Sequence, residues 1–293
     1  MRFEFIRKES ANFPTRALCR TMGVSTSGYY AWRKRPPSTR KREDEQLSEK
    51  VRAIHKTSHG RYGSPRVHEA LRKEQPISRK RVARLMRQEG LAGRPPARFL
   101  RTTDSDHDDP IAENLLARDF TADAPNTKWA RDITCIWTDC GWMYLAVVID
   151  LFSRRVVGWA MADHMRAELA IDALKMAIGR RCPAAGLIFH SDRGSQYTSR
   201  AYQALLRSNG ALSSMSRKGN CWDNAPSESF FATLKKELIH RFHWLSRADA
   251  AAAVARYIEI FYNNQRLHSS IGYTSPAEFE AIKSTPQSAQ LAA

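Results

Sequence analysis

The sequence lacks the features of secreted, disulfide-bonded or membrane-spanning proteins. Its 293 residues include only five cysteines, and no two of them form a C-x-x-C pair. This argues against a disulfide framework or a zinc knuckle and favours a reducing compartment. The longest apolar run, Met143 to Ile149, is far too short to cross a bilayer, and residues 1–10 are too polar for a signal peptide. We therefore expect a cytoplasmic protein with no membrane partner.

Acidic side chains are scarce in the first third of the chain. The whole sequence has 47 Lys and Arg against 30 Asp and Glu, a formal net charge of +17. Residues 1–100 hold 25 basic and 9 acidic side chains, whereas residues 101–293 hold 22 and 21. So large a local surplus points to a polyanionic partner, and without a membrane segment nucleic acid is favoured. Hydrophobic residues make up 42% of the chain, which argues against wholesale disorder.

Residues 1–38 are predicted to form a helix-turn-helix-like module. A helix over Arg16 to Met22 is followed by a turn at Gly23 to Ser25, with Ser25 as the N-cap of a second helix. Pro36-Pro37 closes the unit. This pattern is typical of a DNA-binding motif, but a small helical hairpin without DNA contacts fits it too.

Residues 43–101 are predicted to form a second helical DNA-binding module. Three helices are expected, at about 44–55, 65–73 and 78–89. In the third, Lys80, Arg84 and Arg87 follow the spacing i, i+4 and i+7 on the face opposite an apolar stripe. Because an all-positive face repels itself, we expect it to contact DNA rather than only solvent.

The remainder is divided into a linker, an α/β core and a C-terminal extension. The linker covers residues 102–124, where an acidic run follows the basic modules. Three sequential strands and then alternating helices and strands predict a mixed α/β sheet over residues 125–240, compatible with the ribonuclease H-like order. Helices are expected in the extension, residues 241–285, and residues 286–293 form a tail.

Three carboxylates occupy informative places in the predicted core. Asp132 lies inside a strand, where Asp is disfavoured; Asp192 directly follows the strand Leu187–His190; Glu228 lies in the first turn of a helix. Each alone has an ordinary structural explanation. Together, in a chain with basic modules, they suit phosphodiester chemistry, in which two hard cations roughly 3.5–4 Å apart assist an in-line displacement.

Three segments resemble the catalytic boxes of the retroviral-integrase superfamily: WARDIT at 129–134, HSDRGSQY at 190–197 and DNAPSESFF at 223–231. Between Asp192 and Glu228 there are 35 residues, the interval of the D,D-35-E class. Further segments extend the resemblance to the second-frame transposases of the bacterial insertion sequence 3 family, over about residues 10–283; these are RYGSPR at 61–66, YNNQRLH at 262–268 and GYTSP at 272–276.

This resemblance implies a catalytic triad of Asp132, Asp192 and Glu228 that binds two Mg²⁺ ions, with Mn²⁺ as a possible substitute. It also implies that Lys235, which shares a helix face with Glu228, contacts DNA. Three more DNA contacts are implied, at Asn224, Arg266 and His268. The implied reaction is nicking at the ends of a mobile element, followed by strand transfer from the freed 3′-hydroxyl.

The same resemblance implies the partners: the element's terminal inverted repeats, a target DNA and further copies of the chain. Fusion to an upstream-frame protein is also implied. Two other classes of protein stay open from the residues alone. One is a ribonuclease H-type hydrolase, which would leave the basic modules unexplained. The other is a non-catalytic DNA-binding protein, which has no need to keep three mutually repelling acids together.

Overall fold

The N-terminal third of the chain is helical. We describe a computed structural model that covers residues 1–93, 112–192, 194–216 and 221–284. Its first six helices are α1 (Arg2–Glu9), α2 (Thr15–Thr21), α3 (Thr26–Lys34), α4 (Thr39–Thr57), α5 (Ser64–Arg72) and α6 (Arg79–Gln88).

The first three helices enclose a small core of their own. Ile6, Cys19 and Tyr29 are buried together, and Ser25 caps α3 by accepting a hydrogen bond from the Gly28 N–H. The sequence did not predict α1, because Ile6 is the only one of its side chains that is buried and so no apolar periodicity marks it.

The next three helices pack on the rest of the molecule. Val51 of α4, Val67 and Leu71 of α5, and Val82 of α6 are fully buried and belong to one large apolar cluster that reaches the sheet. The predicted spans agree with α4, α5 and α6 to within a few residues, except that α4 begins five residues earlier than expected.

A five-stranded mixed sheet forms the centre of the fold, in the order β3-β2-β1-β4-β5. Strands β1, β2 and β3 form an antiparallel meander, whereas β4 and β5 run parallel to β1. This confirms the predicted ribonuclease H-like mixed sheet. The strands are β1 (Lys128–Thr138), β2 (Gly141–Asp150), β3 (Val156–Ala162), β4 (Ile188–Ser191) and β5 (Leu212–Met215).

Helices cover both faces of the sheet. One face packs against α7 (Ala167–Arg181), α8 (Ser195–Thr198) and α9 (Arg200–Ser208). Gly158 of β3 permits this contact, because a Cβ there would lie 2.3 Å from the carbonyl oxygen of Ala173 in α7. The other face packs against α10 (Ala225–Glu237), α11 (Arg247–Arg256) and the π-helix Tyr257–Tyr262.

The last helix, α12 (Pro276–Ser284), is attached through buried ion pairs. Glu280 accepts hydrogen bonds from Arg155 and Arg181, at 2.8 Å each, and from the Ser153 hydroxyl. The predicted C-terminal extension therefore packs as part of the core rather than as an appendage.

Residues 112–124, the described part of the predicted linker, contain no helix or strand and pack against the sheet. Leu116 is 1% exposed and lies against Ala130 and Leu151. Arg118 pairs with the buried Asp223 at 3.0 Å. The acidic run on which the linker prediction rests lies within residues 102–111. These residues lie outside the described part of the chain, as do residues 94–101 and the tail.

Candidate active site

Two of the predicted catalytic carboxylates are brought together by strand register. Strands β1 and β4 are parallel, with Ala130 opposite His190. Asp132 and Asp192 each lie two residues further along, so they occupy matching positions, Asp132 inside β1 and Asp192 directly after β4. Side chains alternate along a strand, and the two carboxylates therefore share one face.

The third carboxylate, Glu228, is carried by the first turn of α10, which packs on that face. Asn224, just before the helix, donates a hydrogen bond from Nδ2 to the Arg131 carbonyl of β1 at 3.2 Å. This contact ties the start of α10 to the residue next to Asp132. Lys235 lies two turns along α10 and interacts electrostatically with Asp132.

The carboxylates interact strongly with one another. Loss of hydration, followed by repulsion from Asp192 and then Glu228, raises the pKa of Asp132 well above its usual range, although a hydrogen bond from the Ile133 N–H and the charge of Lys235 oppose this. Burial also raises the pKa of Glu228. An added positive charge would therefore stabilise the ionised group of carboxylates.

The chemistry of these residues suits a hard cation. Three carboxylates offer only oxygen ligands, which magnesium prefers. Within the described residues, however, no three acidic, His or Cys side chains are arranged to hold a metal ion. One oxygen of Asp132 accepts from the Ile133 N–H at 2.8 Å, and one of Asp192 accepts from the Gly194 N–H at 3.1 Å. Metal binding would thus require the side chains to turn toward a shared point.

Arg131 lies beneath the carboxylates in an aromatic cage. Its guanidinium carbon is 4.0 Å from the ring centre of Tyr197, 3.9 Å from that of Tyr202 and 4.8 Å from that of Phe189. The side chain is fully buried, and its nitrogens have no hydrogen-bond partner among the described residues. Burial lowers its pKa to about 9, while Tyr197 and Asp192 oppose that shift. No local sequence pattern predicts this cage, because its aromatic residues come from three elements, β4, α8 and α9.

Two buried polar residues beside the site support the structure. His190 contacts the hydroxyls of Ser214 and Ser216 through its two ring nitrogens, at 2.9 and 3.2 Å. Burial lowers its pKa to about 4, so it is neutral at pH 7. Asp223 accepts hydrogen bonds from Arg118 and Asn114, at 3.0 Å each. Sequence reasoning did not assign Asp223 a role.

Part of the predicted basic face of α6 is paired with a carboxylate of another helix. Lys80 and Arg87 are exposed. Arg84, however, pairs with Asp44 of α4 at 2.7 Å, and Asp44 also binds Arg81. The expectation of an all-positive face is therefore wrong at Arg84, because the neighbouring helix supplies a carboxylate that the sequence of α6 does not show.

Arg266 and His268, predicted as DNA contacts, lie inside the protein. Arg266 is 5% exposed and binds Glu237 through Nε and Nη2, at 2.9 to 3.1 Å. His268 is 8% exposed, and burial beside Arg266 lowers its pKa to about 2. An Arg already engaged by a buried carboxylate has a packing role, and the DNA contact of these two residues stays a prediction.

Comparison with known proteins defines the class first. Models described as an integrase core domain match residues 122–221 and 228–283, and an HTH-like domain matches residues 41–99. The fold is thus that of an integrase core domain. Solved structures that resemble the chain include a simian T-cell lymphotropic virus intasome, with 15% identity, a TM-score of 0.48, and coverage of 81% of this chain and 75% of that one.

Another similar structure is the HTLV-2 integrase catalytic core domain in complex with magnesium, with 16% identity, a TM-score of 0.41, and coverage of 54% and 97%. Two related proteins have a higher sequence identity to this chain. The transposase InsF of insertion sequence IS3A from Escherichia coli is 46% identical over 96% of this chain and 98% of that protein. A 31 kDa protein of insertion element IS600 from Shigella sonnei is 43% identical over 89% and 97%. The chain belongs to the transposase family of insertion sequence 3.

Proposed function

We propose that this transposase nicks DNA at the ends of its own insertion sequence and joins the freed 3′-hydroxyl to another strand, with Asp132, Asp192 and Glu228 as its catalytic residues. The observation that carries this proposal is the matching position of Asp132 and Asp192 on adjacent parallel strands, with Glu228 on the helix above them. Membership of the transposase family supports it.

The three carboxylates would hold two Mg²⁺ ions, with Mn²⁺ as a substitute. Such ions activate an attacking oxygen and stabilise a leaving one. The chain's own contribution is to keep three acidic groups near one another on one face of the sheet despite their repulsion. Asn224 fixes the start of α10, and so the position of Glu228, against β1.

Lys235 would bind a phosphate of the transposon end. It is partly buried and lies seven residues beyond Glu228, on the same helix face. Lys80 and Arg87, exposed on α6, would contact DNA further from the cleaved bond. Asn224 is buried, and we assign it to positioning rather than to DNA contact.

The partners we propose are the terminal inverted repeats, a target DNA and further copies of this chain, because joining two ends requires both to be held at once. Within the described residues no helix is long and apolar enough to span a membrane. We propose that the protein acts in the bacterial cytoplasm on nucleoid DNA, either alone or fused to an upstream-frame protein.

The test uses purified protein, Mg²⁺ and a labelled DNA that carries both ends of the parent element. The wild type should nick at the ends and yield joined strands, while Glu228→Gln should bind the DNA without nicking it. Released fragments without a joined product would favour a ribonuclease H-type hydrolase. Binding without nicking, even with the fused upstream frame present, would mean that the chain is a DNA-binding protein only.

A further inference from the structure

A cleft with a volume of about 400 Å³ lies between the core and the second helical unit, which consists of α4, α5, α6 and the loops next to them. Four basic side chains line it: Arg61, Arg66, Lys236 and Arg241. One carboxylate, Glu237, lies among them, but Arg266 and the Tyr257 hydroxyl already bind it. The cleft therefore carries an excess of positive charge.

The protein holds these side chains in place from behind. Arg61 donates from Nε to the Glu237 carbonyl at 3.2 Å and stacks on Phe261 at 4.2 Å. Arg66 donates from Nε to the Leu267 carbonyl at 2.9 Å. Among the described residues, the outer nitrogens of Arg61 and the Lys236 ammonium make no hydrogen bond. The cleft thus presents fixed donors that an anion could accept.

The positive charge of the cleft also lowers the pKa values of neighbouring groups. Burial lowers the pKa of Lys236, and Arg66 and Arg266 lower it further against the attraction of Glu237. Burial and then Arg61 and Arg241 lower the pKa of His59, at the edge of the cleft. A bound anion would relieve this repulsion.

The cleft lies on the side of α10 away from the proposed catalytic residues. Its lining includes Lys236 and Glu237, and an adjoining depression, which shares Arg66, is lined by Ser229 and Thr233. These positions follow the spacing i, i+4, i+7 and i+8 and form one face of α10. At 100° per residue, Glu228 and Lys235 lie roughly 80–180° around the helix from these four positions, and Lys236 is the nearest of the four.

We infer that this cleft binds a backbone phosphate of duplex DNA, at a contact separate from the strand that is cut. The inference rests on the proposal that the chain acts on DNA. Gly60, Gly63 and Gly93 also line the cleft, and a Cβ on Gly93 would lie 2.6 Å from the backbone of Gly63, so these two glycines let the segments that carry them pack closely. A phosphate held there would connect the second helical unit to the back of α10, so that DNA binding stabilises the catalytic helix.

The experiment measures binding of labelled duplexes by fluorescence anisotropy over a series of salt concentrations, in EDTA so that no cleavage occurs. One duplex carries an end of the parent element and one has a scrambled sequence. The variants are Lys236→Gln and Arg241→Gln, with Lys175→Gln, exposed on α7, as the matched control. Thermal unfolding checks that each variant is folded.

Lys236→Gln should weaken binding to both duplexes by a similar factor and reduce the slope of log affinity against log salt by about 1, since each phosphate contact contributes roughly 0.9. Arg241→Gln should do the same, and Lys175→Gln should match the wild type. Slopes for both cleft variants equal to that of the control would overturn the inference. Because no chemistry is measured, a failure of nicking or joining would leave this result unaffected.

A second measurement separates DNA from a free anion. Inorganic phosphate is titrated into the wild type and Lys236→Gln while thermal unfolding is followed. If phosphate stabilises only the wild type and the DNA slopes are unchanged by the substitution, the cleft is a free-anion site and the DNA assignment is wrong.

Discussion

At the scale of single residues, Asp132 combines a role in the proposed chemistry with a cost in stability. Burial and Asp192 raise its pKa, so the folded protein holds this proton more tightly than the unfolded chain does. Stability linked to this group is complete below the unfolded pKa and is lost as pH rises through the folded pKa. At neutral pH and above, the metal-free site therefore destabilises the fold.

We expect Asp132→Asn to unfold at a higher temperature than the wild type in EDTA at pH 8. The gain should be about 2–4 °C if roughly 1 kcal/mol is recovered, and it should shrink as the pH falls. Thermal unfolding over a pH series measures this, with Asp172→Asn, exposed on α7, as the control. Added Mg²⁺ should stabilise the wild type more than the variant. A gain that is absent, or that does not change with pH, would contradict the argument.

Arg131 offers a second test at this scale. A buried charge without hydrogen bonds costs several kcal/mol, and three desolvated aromatic contacts of about 2 kcal/mol each offset that cost. Arg131→Met should therefore unfold at the same temperature as the wild type or higher, whereas Arg131→Ala should unfold lower because it leaves a cavity among three rings. Despite its stable fold, Arg131→Met should nick more slowly, because the buried charge that attracts Asp192 is lost. A Met variant as unstable as the Ala variant would show that the charge itself supports the fold.

At the scale of structural elements, two segments that the sequence marks as family motifs dock on each other. The Tyr62 hydroxyl donates to the Gln265 carbonyl at 3.1 Å and accepts from the Leu267 N–H at 3.0 Å. Arg66 reaches the Leu267 carbonyl beside it. The loop before α5 is thus fixed to the segment that follows the π-helix, and this contact sets how the second helical unit lies on the core.

Tyr62→Phe should destabilise the protein, because two backbone groups lose their partner at once. The cost of leaving such groups unsatisfied is about 1–3 kcal/mol, which corresponds to a fall of a few degrees in Tm. Limited proteolysis should also cut more readily between the second helical unit and the core. Tyr30→Phe, at a tyrosine that is 46% exposed, is the matched control and should change neither measurement. Equal behaviour of the two variants would mean that this contact contributes nothing.

The parts of this arrangement that the sequence could predict are those encoded locally. The strand placement of Asp132 and Asp192 follows from apolar runs and their ends, and the mixed sheet follows from the order of elements. The pairing of Arg84 with Asp44 could not be predicted, because it joins two helices whose packing no local pattern specifies. The burial of Arg266 was missed for the same reason, since its partner Glu237 precedes it by 29 residues.

At the scale of the whole molecule, positive charge and packing are distributed differently. The charge surplus lies in residues 1–100. Within the described part of that region, α1, α2 and α3 form a core of their own, whereas α4 to α6 share the large apolar cluster of the catalytic core. The basic region is therefore two mechanical units. One is independent, and the other is fixed to the proposed active site.

Deleting residues 1–35 should consequently leave the unfolding temperature of the remaining chain unchanged. This cut keeps Ser38, whose side chain caps α4 by accepting from the Lys41 N–H. It should still weaken DNA binding and reduce its salt dependence, because the removed residues carry eight basic and two acidic side chains. Calorimetry and anisotropy on the shortened and full chains make the comparison. A lower unfolding temperature would show that the first unit supports the core, while unchanged salt dependence would show that its charges face solvent rather than DNA. Weaker binding at an unchanged unfolding temperature is the expected result. It would mean that residues 1–35 bind DNA as a separate unit and that the core has DNA contacts of its own.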